Sequence, residues 1–197
     1  MPHYYDDNTD LISQPSEIKT YINKVEYTFT TDHGVFSKSR VDFGTQRLLE
    51  AITLDQPKHI LDIGCGYGVV GIVMKHTYPN AQVTMFDVNP RAVELAKNNC
   101  LSHGLSDIDV FVSDHIPKEL NGVDVAILNP PIRAGKDTVF RLYEEAYNIL
   151  TNQGLLYIVI QKKQGSQSSK VFLEALFDNV VLIQRDKGYH VFKAIKS

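Results

Sequence analysis

From His59 onward, short apolar runs rich in β-branched residues alternate with longer stretches whose apolar residues recur at helical spacing. The strand-like runs are 59–64 (HILDIG), 81–87 (AQVTMFD), 108–114 (IDVFVSD), 123–129 (VDVAILN), 155–160 (LLYIVI), 180–184 (VVLIQ) and 189–195 (YHVFKAI). Segments 69–78, 90–104, 137–150 and 166–177 read as amphipathic helices. Segment 90–104 follows Asn89 as a cap, has Pro90 in its first turn and closes on Gly104. Such alternation predicts βαβ units around a parallel sheet with helices on both faces. The last two strands are separated only by RDKG, so they should pair antiparallel as a hairpin. The expectation is an α/β, Rossmann-like fold with a mostly parallel seven-stranded sheet and an antiparallel C-terminal hairpin.

Ahead of His59 the pattern changes. EIKTYINKVEYTFTTD alternates like a two-stranded ribbon turning at Asn23-Lys24, and DFGTQRLLEAI (42–52) reads as a helix. Residues 1–50 are thus expected as an extension packed on a core of 51–197, with 1–197 forming one domain. The 197 residues, 43% hydrophobic and 22% charged, suit one core.

Apolar runs stop short of the roughly 20 residues of a membrane span. The polar, acidic start MPHYYDDNTD lacks the basic and apolar regions of a secretory signal, so a cytoplasmic protein is expected. Cys65 and Cys100 have no metal-type spacing and make no disulfide framework, and no metal site is expected. A formal net charge of −3 lacks the positive excess of a general nucleic-acid binder. A nucleic-acid partner would have to be held by a local basic patch.

Candidate chemistry begins at LDIGCGYGVVG. Gly64, Gly66, Gly68 and Gly71 fall between the first parallel strand and its helix, where open α/β sheets bind ligands. Gly66 to Gly71 matches the dinucleotide pattern G-x-G-x-x-G, which keeps a nicotinamide dehydrogenase open. The earlier phase, Asp62-x-Gly64-x-Gly66-x-Gly68, also uses Asp62. Asp87 ends the next strand, in position to reach ribose hydroxyls of either cofactor, and Asp114 ends the third. Singly, each carboxylate has a plausible reading as a strand-end cap or turn residue, but three at successive strand ends above one glycine loop point to a ligand.

The fourth strand runs into Asn129-Pro130-Pro131. Two prolines fix the backbone and remove two amide donors, leaving carbonyl acceptors beside the Asn129 amide. A pair of acceptors suits a planar NH₂ group, holding both hydrogens and aiming the nitrogen lone pair at an electrophile. Catalysis there would be orientation and preorganisation, with no covalent intermediate.

Together, DIGCGYG, NPPI and GVFSKSRVDFGTQRLL (34–49) resemble the "methyltransferase small" domain of class I S-adenosylmethionine-dependent methyltransferases. The chain most resembles the small-subunit ribosomal RNA guanine-N2 methyltransferases, from about His33 to the C-terminus. The resemblance implies S-adenosyl-L-methionine as cofactor, held by Phe36 and Ser37 as lid residues, Asp62, Gly64, Cys65, Gly66, Gly68, Asp87 with Val88, Asp114 and Asn129. It implies Asn129, Pro130 and Pro131 as the catalytic segment and guanine N2 of ribosomal RNA, or the small subunit, as acceptor. Position 132 is Ile where many relatives carry Phe or Tyr for stacking on an extruded base. Larger relatives also carry an additional N-terminal domain.

Arg133 and Lys136 follow the fourth strand, and Lys162 and Lys163 follow the fifth; with Ile132 they form the candidate RNA rim. His190 reads more simply as a structural histidine than as a base. Protein-glutamine and adenine amino methyltransferases share the two-acceptor requirement and stand as alternatives, as does a cofactor-binding ribosome assembly factor without activity.

Overall fold

The computed structural model describes residues 12–197. The acidic amino-terminal stretch, with the first residues assigned to the extension, lies outside the described residues. A ribbon of β1 (Ser16–Ile22) and β2 (Val25–Thr31) precedes α1 (Phe43–Ala51). The core continues as β3 (His59–Ile63), α2 (Val69–Thr77), β4 (Gln82–Asp87), α3 (Pro90–Ser102), β5 (Ile108–Val112) and β6 (Val123–Leu128). It closes with α4 (Lys136–Ile149), β7 (Leu150–Gln161), α5 (Ser166–Leu176), β8 (Asn179–Asp186) and β9 (Tyr189–Ile195).

The seven-stranded sheet has the order β5-β4-β3-β6-β7-β9-β8. Its first five strands are parallel, and β9 runs antiparallel to both β7 and β8. The strand order reverses between β4 and β6, around β3, which places a crevice above β3 at the carboxyl edge. The antiparallel strand inserted between β7 and β8 departs from the all-parallel dinucleotide-binding sheet.

Both sheet faces are buried, so the central strands carry near-continuous apolar runs. Along β3, Ile60 packs with residues of α1, α2 and the ribbon, whereas Leu61 packs with α4 residues on the other face. The helix ends follow local rules. Asn89 accepts from the Arg91 amide at 3.0 Å and Pro90 opens α3. Leu105 N–H donates to the Cys100 carbonyl at 2.9 Å and Gly104 N–H to Leu101 at 3.0 Å, with Gly104 at φ 73°. That is a Schellman stop. The β8–β9 turn is the two-residue Lys187-Gly188 pair, both at positive φ, as a right-twisted hairpin requires.

The start of β7 departs furthest from the sequence pattern, while β5 ends at Val112, short of 114, and β8 runs to Asp186. TNQG (151–154) reads as a connection, yet β7 begins at Leu150, directly after α4. Val123 pairs with Leu150 and Val125 with Leu155, so the surplus residues bulge out of the ladder while strand pairing resumes. A polar tetrapeptide gives no periodic signal of such pairing.

The ribbon is joined to the core through Asn99, which is 1% exposed. Its Oδ1 accepts from Thr30 N–H at 2.8 Å, while its amide donates to the Thr30 carbonyl at 2.9 Å and the Tyr67 carbonyl at 2.8 Å. One side chain thereby satisfies the ribbon edge and the glycine loop together. Asn99→Leu leaves three backbone groups without partners, and should destabilise the protein by about 2–4 kcal/mol. Urea unfolding followed by circular dichroism measures it; a loss under about 0.5 kcal/mol would show that the junction does not depend on these bonds.

Candidate active site

The crevice floor is the turn from β3 into α2. Gly64, Gly66 and Gly68 have φ of 69°, 55° and 94°. A Cβ on Gly64 or Gly66 would meet nothing within 4 Å, so the loop backbone faces open room. Gly71 has another reason to be glycine: a Cβ there would lie 2.0 Å from Met85 Sδ, because α2 presses against β4. Cys65 is buried, and its N–H donates to the Phe86 carbonyl at 2.9 Å. Burial pushes its thiol pKa well up, which makes it an inert packing residue.

Two carboxylates tie the loop to the sheet. Asp87, 1% exposed at the end of β4, accepts from Gly66 N–H at 2.8 Å and Asn89 N–H at 2.9 Å. Val88 follows, half-buried, in the turn into α3. Asp62 accepts from Gly71 N–H at 2.9 Å. Burial pushes its pKa up to about 7; the Gly71 amide opposes that rise and the Asp87 charge adds to it. Asp114 sits differently, two residues past β5 and exposed, with its carboxylate 2.6 Å from His115 Nδ1.

The segment leading from the ribbon to α1 crosses toward this loop. Asn89 Nδ2 donates to the Gly34 carbonyl at 2.9 Å and Arg91 to the His33 carbonyl at 2.9 Å. Tyr67 Oη donates to the Ser37 carbonyl at 3.4 Å. Ser37 takes φ 61° and its hydroxyl donates to the Arg40 carbonyl, while Phe36 remains 51% exposed. Val35, at 8% exposure, anchors the segment in the core.

Asn129 is the first residue beyond β6, beside β3 in the sheet. Its Nδ2 donates to Asp42 Oδ2 at 3.1 Å and to Thr45 Oγ1 at 3.0 Å. Both amide hydrogens are consumed, which orients the group and leaves Oδ1 as an acceptor. Asp42 also caps α1, accepting from Thr45 N–H at 3.0 Å. Sequence reasoning singled out neither Asp42 nor Thr45; the signal was a cap residue in the motif preceding α1, read only as a helix start. Pro130 is buried, and its carbonyl accepts from Ile132 N–H at 2.9 Å, retaining one lone pair. Pro131 is half-buried and precedes a 3-10 turn at 132–134. Ile132 packs partly against the α4 and α5 side of the core.

Arg133, Lys136, Lys162 and Lys163 are all exposed, at the carboxyl ends of the neighbouring strands β6 and β7. Lys136 Nζ lies 5.0 Å above the Phe140 ring. His190 is engaged: its Nδ1 lies 2.7 Å from Ser166 Oγ, and burial, Arg185 and Lys162 hold its pKa down. Among the described residues no group of three His, Cys, Asp or Glu is placed to hold a metal, and no helix is long and apolar enough to cross a membrane.

A family model described as "Methyltransferase small domain" matches residues 26–193. The chain belongs to the methyltransferase small domain family. It is an S-adenosylmethionine-dependent methyltransferase. It is 39% identical to the Bacillus subtilis protein YbxB, described as uncharacterized, over 98% of both chains. It is also 39% identical to ribosomal RNA small subunit methyltransferase C of Haemophilus influenzae, over 57% of this chain and 34% of that protein. Matches to these ribosomal RNA enzymes thus span about a third of their length. The fold is similar to the Thermus thermophilus 16S rRNA methyltransferase RsmC, solved with AdoMet and guanosine, with a TM-score of 0.84 and 24% identity, covering 95% of this chain and 52% of that one. Thermus thermophilus TrmN aligns over 78% of this chain and 48% of its own, with a TM-score of 0.61. The antiparallel insertion and the family match together settle the glycine pattern against the dehydrogenase reading.

The open room over Gly64 and Gly66, on a loop held in shape by the buried Asp62 and Asp87, fits the cofactor of this methyltransferase family. Because Asp62 has a folded pKa raised above its unfolded value, ionisation favours the unfolded chain. Its contribution to stability is full below about pH 4, falls as pH rises toward 7, and is level above that. Asp62→Asn removes this loss. The midpoint of the cofactor-free variant should therefore exceed that of the parent by a margin that widens between pH 5 and 7 and then stops growing. A pH-independent margin in thermal melts would mean that Asp62 is already ionised in the folded protein.

Proposed function

We propose that the chain methylates an exocyclic amino group of ribosomal RNA, with guanine N2 of the small subunit as the leading acceptor. The oriented Asn129 amide is the observation that carries this reading, because an acceptor oxygen held in place by its own NH₂ group suits a planar amine. Relatives named as ribosomal RNA small subunit methyltransferases support the substrate class.

The cofactor supplies a methyl group activated by a positive sulfonium. On this chain, the glycine-loop amides, Asp62 and Asp87 hold it, with Phe36 and Ser37 beside the loop, Cys65 and Val88 in its walls and Asp114 at the adenine end. Asn129 Oδ1 and the remaining lone pair of the Pro130 carbonyl accept the two amine hydrogens. That contact withdraws the nitrogen lone pair from conjugation and points it at the electrophile. Pro131 keeps the two acceptors in register by restricting φ. Ile132, Arg133, Lys136, Lys162 and Lys163 line the side from which RNA approaches. A cytoplasmic location accords with that substrate.

Methyl transfer to naked RNA, isolated small subunits and whole ribosomes from a strain lacking the protein, followed by nucleoside mass spectrometry, tests the assignment. N2-methylguanosine is expected; a methylated glutamine or adenine would replace the acceptor, and cofactor binding with no transfer would remove the enzymatic reading. Asn129→Ala should lower kcat about a hundredfold or more with cofactor affinity retained. Asp87→Ala should act mainly on cofactor affinity, since it releases the Gly66 and Asn89 amides.

Asp42 and Thr45 act as positioning residues. Asp42→Ser preserves a good helix cap but is too short to reach Asn129, and Thr45→Val removes the second acceptor at constant shape. Each should reduce kcat about tenfold to a hundredfold with thermal stability and cofactor affinity close to parent. A kcat equal to the parent's in both would show that the clamp does not orient the amide.

A further inference from the structure

One concave surface at the carboxyl edge belongs to none of the site residues described above. It lies between β1, the start of α1 and the β8–β9 turn, encloses about 470 Å³, and is lined by Lys19, Arg40, Phe43, Lys187 and Tyr189 together with Thr20, Val41 and Gln46. Among the described residues no acidic side chain lines it. The volume falls within the roughly 300–1,000 Å³ of ordinary ligand clefts.

Its cations are available. Among the described residues neither Arg40 nor Lys187 forms an ion pair, and Lys19 meets only exposed Glu26 at 4.0 Å. Arg47 behind them is already neutralised by Glu50 and Asp186. Lys187 Nζ lies 5.0 Å above the Phe43 ring, which holds the ammonium over the groove without cancelling its charge. Tyr189 packs beside Phe43 on the same wall, the ring centroids 5.5 Å apart. A Cβ on Gly44 would lie 2.7 Å from Tyr189 Cε1 and 2.9 Å from Asp42 Oδ2. Glycine therefore brings the groove wall within one residue of the carboxylate that clamps Asn129.

Resting on the RNA reading above, we propose that this groove binds the phosphate backbone of the RNA strand that carries the target amine, with Arg40 and Lys187 contacting phosphates. Arg40 and Lys187, which have no acidic partner among the described residues, match a polyanion. The wall they share with Asp42 sets the strand beside Asn129. The groove also answers how a chain with net charge −3 engages RNA: basic residues are grouped along one stretch of the active edge, here and at Lys162 and Lys163. The Lys162 N–H donates to the Gly188 carbonyl at 2.8 Å, so the two basic patches adjoin.

The test uses the full chain and transcribed small-subunit ribosomal RNA. The double variant Arg40→Ala/Lys187→Asn removes both charges, and Asn tolerates the φ of 45° at position 187. Lys97→Ala, an exposed α3 substitution, is the control. The double variant should raise the RNA KM about tenfold, and reduce the slope of log affinity against log salt by about 1.4, or 0.7 for each lost phosphate contact. Its cofactor affinity and melting temperature should match the control. Adding Lys187→Arg to Arg40→Ala in place of Asn should recover about half of the slope. An RNA KM and salt slope equal to the control's, in a parent that methylates RNA, overturn the groove alone. A defect seen with protein-containing subunits but not with naked RNA also overturns it, because the groove then meets an acidic protein surface. Failure of the parent to methylate any RNA removes the function proposed above, and this inference with it.

Discussion

Burial of the parallel sheet on both faces governs where this molecule can do chemistry. With α1, α2, α3 and the ribbon on one side and α4 and α5 on the other, the central strands have no solvent-facing surface. Only strand ends are left to present polar groups, and parallel pairing of β3, β4, β5, β6 and β7 brings their carboxyl ends to a single edge. Asp87 and Asn129, far apart in the chain, reach the same crevice for that reason. The glycine loop between them is open because Gly64 and Gly66 carry no side chain where the backbone faces the crevice.

Second to that constraint is the use of one carboxylate oxygen for two tasks. Asp42 Oδ2 accepts both the first-turn amide of α1 and the Asn129 side chain. Helix capping and site orientation are therefore coupled: the energy that starts α1 also sets the amide plane of Asn129, at the end of β6. Thr45 completes the clamp from the same first turn. The N-terminal extension is in this sense part of the active edge, and Asn99 fastens its ribbon to the glycine loop by three hydrogen bonds.

Legibility from sequence followed the strength of local patterns. The strands of 59–64 and 123–129, the Asn89-Pro90 start of α3 with its Gly104 stop, and the C-terminal hairpin carry periodicity or turn chemistry of their own, and they form as read. The β7 start at Leu150 was hidden because its pairing with Val123 runs through a bulge of polar residues. Asp114 looked equivalent to Asp62 and Asp87, yet it lies past β5 and turns to His115, since spacing does not report which way a loop carboxylate faces. Asp42 looked like a cap, and is one, but its second partner comes from residue 129.

What the sequence determined by itself was the order of elements, the parallel core and the residue types at strand ends, because hydrophobic period, turn glycines and prolines act over a few residues. Only the tertiary structure decided which hydrogen-bond donors of Asn129 are consumed, that Asp62 is sealed from water, and that Lys19, Arg40 and Lys187 share one groove. Each of those depends on contacts between segments brought together by sheet pairing, and no local preference encodes them.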